Sequence, residues 1–236
     1  MRIAALADVH GNLPALRAAW RDIEAAEPDL VVSCGDLTWG SLPRETIDFV
    51  RGRELPLRFV RGNAERALLE QTDDRERARW MYGQHTADDL DWLRSFEPTV
   101  SVGGIRFCHG SPQHDEDIIT PITPPARLGP LLEGVSERTV VSAHIHVQFD
   151  RTVDGIRSIN PGSIGLPYEG RSGGAYWALI DGDAVALRRT EYDVEETCAL
   201  FAATDDPMRE AIVQELRSPT TREEMVPRAE QLERSG

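Results

Sequence analysis

Residues 140–150 read VVSAHIHVQFD. Val140 and Val141 are the β-branched pair expected in a buried strand, yet a few residues later the chain sets down two imidazoles, His144 and His146. A strand that ends in metal-capable side chains predicts a site at its carboxyl end. Four earlier apolar runs end in a similar way: the first in Asp8-Val9-His10, the second in Gly35-Asp36, the third in Gly62-Asn63 and the fourth in His109-Gly110. Four of the chain's six histidines fall at these strand ends. In an open α/β sheet the carboxyl ends of the strands line one edge, where such folds bind ligands. Glycine beside the polar residue lets the backbone turn sharply there.

The remaining pattern is that of an α/β protein, short apolar runs alternating with segments of helical period. Strands are expected near 2–7, 30–34, 57–61, 105–108 and 139–143, then near 148–153, 156–159, 175–180 and 184–192. Helices are expected over 13–27, 43–52, 64–71, 86–95 and 124–133. Asp154-Gly155 and Asp181-Gly182 are hairpin turns, so the sheet is mixed. The charged stretch 65–98, with Trp80, Met81, Tyr82 and Trp92, reads as a helical insertion over the site. Residues 193–236 read as an acidic helical tail, broken before Pro207, Pro219 and Pro227. The whole chain, 1–236, is expected to be one domain.

Twenty-six basic against 40 acidic side chains give a formal charge of −14, the wrong sign for gripping nucleic acid through its phosphates. No apolar run approaches the roughly 18 residues of a membrane span. Asp8 and His10 interrupt the N-terminal apolar stretch before a secretory signal could form, and the three cysteines Cys34, Cys108 and Cys198 show no metal or disulfide spacing. A cytoplasmic protein with reduced thiols is expected, and homo-oligomerisation stays open.

The strand-end donors are two Asp, one Asn and four His, with no thiolate. Such a set would be costly to bury unless cations joined it. Mixed oxygen and imidazole ligation suits Mn²⁺, Fe or Zn²⁺ better than Ca²⁺. Seven donors exceed what one ion takes while keeping open positions, so two ions sharing a carboxylate are expected, as in sites that clamp a phosphoryl displacement.

The ordered series DVH, GD, GN, HG and HIH resembles the calcineurin-like metallophosphoesterase superfamily, whose motifs run D-x-H, G-D, G-N-H-D/E, H and G-H-x-H. The resemblance spans Met1 to about Tyr192. INPGSIGLPYEG at 159–170, followed by GGAYWALID at 173–181, is similar to the compact bacterial and archaeal phosphodiesterase branch. The family implies a four-layer αββα sandwich with two mixed sheets. Carried onto this chain, it implies that Asp8, His10 and His146 hold one ion, that Asn63, His109 and His144 hold the other, and that Asp36 bridges them. Asp36, Asn63 and His109 would then act in catalysis through two divalent ions, Mn²⁺ first, with Fe, Zn²⁺ or Ni²⁺ as alternatives. The implied reaction is hydrolysis of a small phosphate ester, foremost a diester and a nucleotide among the candidates, by a metal-bridging hydroxide. A phosphomonoesterase or protein phosphatase is one alternative. Another is a non-catalytic protein-binding scaffold, as in the retromer subunit built on this fold.

Two positions depart from the family. Ala143 stands where G-H-x-H has Gly, which removes no side-chain chemistry. Ala64 stands where the third motif often has His, so no proton donor is available there. Substrate contacts are assigned to Arg61, to His85 and His114 as proton donors or contacts, and to Tyr168 beside Trp39 in an apolar pocket.

Overall fold

The computed structural model describes residues 1–233. The first sheet is built from β1 (Arg2–Leu6), β2 (Leu30–Ser33), β3 (Leu57–Phe59), β9 (Gly174–Asp181) and β10 (Ala184–Glu191). Their order is β10-β9-β1-β2-β3. β1, β2 and β3 run parallel, and the β9–β10 hairpin adds antiparallel to β1. The second sheet holds β4 (Val100–Val102), β5 (Ile105–Phe107), β6 (Thr139–Val141), β7 (Phe149–Val153) and β8 (Ile156–Asn160), in the order β4-β5-β6-β8-β7. β5, β6 and β8 run parallel, with antiparallel β4 and β7 at the edges.

Side-chain alternation along each strand sorts the core into layers. From β1, Ile3 and Ala5 join Val32 of β2 and Phe107, Val141 and Ile159 of the second sheet, which makes the filling between the sheets. Ala4 and Leu6 point the other way, onto α1 (Leu13–Ala25), where Leu16, Trp20 and Ile23 cover them. Asn12 caps that helix by accepting the Ala15 N–H, and Pro14 occupies its first turn. α2 (Pro43–Arg51) and the helices α3 (Asn63–Glu70), α4 (Glu76–Gly83) and α5 (Ala87–Arg94) complete this outer layer. Leu68, Met81 and Leu93, one from each of the last three, belong to the same core as Trp20, so segment 65–98 is part of the helical layer on the first sheet.

α6 (Pro125–Leu131) and α9 (Arg222–Glu233) cover the outer face of the second sheet through Leu128 and Val226. α7 (Val194–Ala202) and α8 (Arg209–Arg217) pack on each other through Cys198, Phe201, Ile212 and Leu216. No helix among the described residues is long and apolar enough to cross a membrane.

The strand ends divide between the two sheets that the family resemblance implies: those of β1, β2 and β3 belong to the first, and those of β5 and β6 to the second. Three details differ from the sequence expectations. The second hairpin turns at Gly182-Asp183, one residue later than read, with Asp181 paired to Ala184. β4 was not foreseen; it pairs with β5 across Gly103-Gly104, both at positive φ, a two-residue turn that glycine permits at no steric cost. The tail does not break at Pro227, because α9 runs through it. Proline there forfeits one backbone hydrogen bond. The loss is offset by burial of Val226 and Ala229 and by Glu230, whose carboxylate takes Thr120, Thr123 and Arg127.

Candidate metal centre

The loops that follow the strands turn through a conformation that side chains normally avoid. Asp8, His10, Asp36, His144 and His146 all have positive φ, between 47° and 70°. For residues other than glycine this costs about 1–2 kcal/mol each, and such strain persists where surrounding structure over-determines it. Here backbone bonds tie the loops to one another: Asp8 N–H donates to Gly35 O, His10 N–H to Asp36 O, and Ala143 N–H to His109 O. Gly35 and Gly62 are required by close approach. A methyl group on Gly62 would stand 2.2 Å from Asp36 Oδ1, and one on Gly35 would stand 2.7 Å from His109 Nδ1.

Inside this frame the imidazoles are oriented by their outer nitrogens. Nδ1 of His10, His109 and His146 lies 3.2, 2.8 and 2.7 Å from the carbonyl oxygens of Trp39, Cys34 and Leu166. Donation from Nδ1 to those carbonyls leaves Nε2 as the nitrogen that could bind a metal, its ring orientation fixed by the carbonyl behind it. The Nε2 atoms face inward. His10 Nε2 is 3.1 Å from His146 Nε2, and His146 Nε2 is 3.4 Å from Asp8 Oδ1. His109 Nε2 is 2.9 Å from Asn63 Oδ1 and 3.4 Å from Asp36 Oδ1, while Asp36 Oδ2 is 3.8 Å from His10 Nε2. His144 enters differently: its backbone N–H donates to Asp8 Oδ2 at 3.3 Å, and its ring meets the edge of His109 at 5.1 Å.

Two groups of ligand atoms lie within 4.8 Å of one another, Asp8 with His10 and His146, and Asp8 with Asp36 and His109. Asp8 Oδ1 is buried and has no hydrogen-bond partner among the described residues. A wholly buried carboxylate oxygen without a donor is costly, and two ring nitrogens of the same kind facing each other at 3.1 Å need a shared proton or cation. Divalent cations satisfy both demands, so the donors fit the metals that the sequence implies.

The electrostatics agree with that fit. Burial, aided by His146, pushes His10 down to about 4, so its ring is neutral at physiological pH. Burial also acts to lower His109, but the Asp36 carboxylate outweighs it and holds the ring up at about 10. His146 is raised in the same way by Asp8 against its own burial. Burial raises Asp8 and Asp36, and the neighbouring imidazoles pull both carboxyls below their ordinary range. At pH 7.5 His109 therefore carries a proton that a cation must displace, and the upward shift of His146 acts in the same direction. Loading with Mn²⁺ is expected to release about one proton or more, and affinity should rise with pH. Calorimetry in buffers of different ionisation enthalpy checks this; no proton release would exclude ligation through His109.

The substrate-side residues are distributed unequally. Arg61 and His114 line a cleft of about 190 Å³ beside His109. Among the described residues Arg61 has no side-chain hydrogen-bond or ion-pair partner, whereas Arg66, also lining the cleft, is paired with Glu70, Asp115 and Glu116. His85 is buried with both ring nitrogens engaged, Nδ1 at 2.8 Å from Met81 O and Nε2 at 3.1 Å from Thr38 Oγ1. Neither nitrogen is left for a substrate, which corrects its assignment as a proton donor or contact. Tyr168 stacks on His146 at 4.9 Å with an interplanar angle of 10° and lies partly buried on the second-sheet core, so it props the imidazole. Trp39 holds His10 through its carbonyl and packs its ring edge-on to Tyr82.

Sequence reasoning missed the role of Glu65. It is fully buried, and its two oxygens accept the backbone N–H groups of Asp36, Gly62 and Leu37 at 2.8–2.9 Å. A Glu two residues after Asn63, at the third position of a helix, was the available signal, since that is where a capping carboxylate stands. Asn160 and Ser163 also hold the frame, donating to Ala143 O and Asp8 O.

Among solved structures, a metallophosphoesterase from Sphaerobacter thermophilus is 28% identical, with a TM-score of 0.78 over 92% of this chain and 99% of that one. The hypothetical protein PH1004 from Pyrococcus horikoshii OT3 shares the fold, with a TM-score of 0.80 at 20% identity over 93% and 99% of the two chains. The uncharacterised protein MJ0912 of Methanocaldococcus jannaschii is 24% identical over 226 residues, 82% of this chain and 89% of that protein. The family model of the calcineurin-like phosphoesterase superfamily domain matches residues 1–183, the stretch that supplies every donor at the centre, and the chain belongs to that superfamily.

Proposed function

We propose that the protein is a metal-dependent phosphodiesterase acting on a small phosphate ester, a nucleotide among the candidates. Asp8, His10 and His146 would hold one divalent transition-metal ion and Asn63, His109 and His144 a second, with Asp36 shared. The observation that carries this reading is the placement of Asp36, one oxygen turned to His10 and the other to His109. When bound, the two ions supply a water of lowered pKa and offset the charge that builds on the phosphoryl oxygens. The chain's own residues do the rest. Cys34, Trp39 and Leu166 fix the rings through their carbonyls, Ala64 N–H fixes Asp36, and Arg61 meets the anion.

A diester is favoured over a monoester by charge. It carries one negative charge at neutral pH, which suits one unpaired guanidinium on a chain of net charge −14. The scaffold alternative draws support from a broken donor set, and all seven positions here keep their donors.

The test is a screen of mono- and diesters with protein loaded with Mn²⁺, Fe²⁺, Zn²⁺ or Ni²⁺. Aryl diesters are expected to turn over at least about tenfold faster than the matching monoesters. Two bound ions with no turnover of any ester would favour the scaffold. Failure to take up transition metal after reconstitution would overturn the dinuclear reading.

A further inference from the structure

Phosphoester cleavage leaves an oxygen that must acquire a proton, and Ala64 offers none. Its methyl is 5% exposed, at the start of α3 beside Asn63. Asn63 Oδ1 touches His109 Nε2 at 2.9 Å, so the cleft that opens on His109 is on the side of the centre where residue 64 stands. Its volume of about 190 Å³ equals that of a sphere about 7 Å across, so groups lining it come within reach of one small substrate. Besides His109, one imidazole lines this cleft, that of His114.

The surroundings of His114 offer its Nδ1 both a donor and an acceptor. Its Nδ1 accepts the backbone N–H of Glu116 at 3.1 Å and lies 3.4 Å from Asp115 Oδ1. That oxygen is buried and has no hydrogen-bond partner, while the other oxygen of Asp115 takes Arg66 Nε at 2.8 Å. With its proton on Nε2 alone the ring accepts the Glu116 N–H; with a proton on Nδ1 it supplies the donor that Asp115 Oδ1 lacks. The loop is held in place. Ser111 N–H and Asp117 N–H both donate to His114 O, Gln113 N–H and His114 N–H donate to Ser111 Oγ, and Ser111 Oγ donates to Asp117. The ring itself is 56% exposed, open to the cleft and to water.

We infer that His114 is the proton donor to the leaving group, with Asp115 as its positioning residue, taking over the task that falls to the residue after Asn63 in many relatives. This rests on the phosphodiesterase reading above. Water oxygen forms a bond to phosphorus as the bond to the leaving oxygen breaks and its electron pair passes to that oxygen. The leaving oxygen takes the proton from His114 Nε2. The ring is left neutral, with its remaining proton on Nδ1 hydrogen-bonded to Asp115, and the proton released by the attacking water restores it through solvent.

The experiment is a series of phenyl phosphodiesters of graded leaving-group pKa, hydrolysed by wild type and His114→Gln at equal metal content. General acid catalysis is worth about 10²- to 10⁴-fold, so the variant is expected to lose about 10²-fold or more on the poorest leaving groups. The loss should shrink as the leaving group improves. Asp115→Asn keeps the imidazole but weakens the acceptor that orients its Nδ1–H, so kcat on poor leaving groups should fall while KM and metal content are kept. Added imidazole should partly rescue His114→Ala on poor leaving groups. Parallel slopes for wild type and His114→Gln, with wild type active, would overturn this inference and leave the enzyme reading standing. Absence of wild-type turnover on every ester would overturn both.

Discussion

Asp36→Asn is expected to lower phosphoester turnover by at least about 10³-fold, in the range seen when a preorganised electrostatic contact of the transition state is removed, and to weaken both cation positions together. The buried Asp36 carboxylate accepts the Ala64 N–H at 2.9 Å through Oδ1, which is also the oxygen nearer His109. Asn can keep that bond with its carbonyl oxygen. Its amide nitrogen then faces His10, a donor where a ligand is needed, and the negative charge is gone. The side chains are isosteric, so the fold is retained and the loss reads on chemistry. His109→Ala, by contrast, should chiefly empty the position shared with Asn63. Elemental analysis of the purified variants, with turnover on the same preparations, separates the two patterns. Loss of one ion from Asp36→Asn with the other retained in full would show that Asp36 is not shared.

Glu65→Ala is expected to destabilise the protein by about 3–5 kcal/mol, because three buried backbone N–H groups lose their acceptor and each unsatisfied group costs about 1–3 kcal/mol. The effect is structural first and catalytic second. Glu65 joins the loop after β2, through Asp36 and Leu37, to the loop after β3, through Gly62. Without it those two loops no longer fix Asp36 relative to Asn63. For a chain of this size such a loss lowers Tm by roughly 10 °C or more. Glu65→Gln should fall between wild type and Ala, since an amide accepts on one side and places its own N–H against a donor on the other. Thermal and urea unfolding of the three proteins measures the series. Equal stability of Ala and wild type would mean that water replaces the carboxylate.

Much of the site was legible because its signals are local. A donor at the end of an apolar run is a feature of three or four residues; it recurs at Asp8–His10, Asp36, Asn63, His109 and His144–His146, with glycine adjoining His10, Asp36, Asn63 and His109. The hairpin turn at Asp154-Gly155 was readable for the same reason, and the second was readable to within one residue, its loop being Gly182-Asp183 with Asp181 paired to Ala184. The turn at Gly103-Gly104 carried the same signal, but the three-residue β4 before it was too short to stand out.

Other features depend on which distant segments meet. His10 and His146 are 136 residues apart in sequence and 3.1 Å apart in space, and nothing near either one names the other. The lone histidine at 85 reads as free from its neighbours, yet Thr38, 47 residues away, takes its second nitrogen. Pro227 is a helix breaker by its own chemistry, and packing of α9 on the second sheet overrides it.

By itself the sequence determined an α/β chain with a mixed oxygen and imidazole donor set at the ends of successive strands, because composition, period and turn chemistry act over a few residues. The local pattern did not say that these ends come from two sheets; the family resemblance implied it, and the tertiary structure shows it. β1 is buried on both faces, and an apolar run of that kind reads the same whether helices or a second sheet cover it. Only the tertiary structure decided that Glu65 clamps the centre and that Asp115 faces His114 with an unpaired oxygen, because hydrogen-bond satisfaction is a property of the packed interior and is settled only when all the partners are in place.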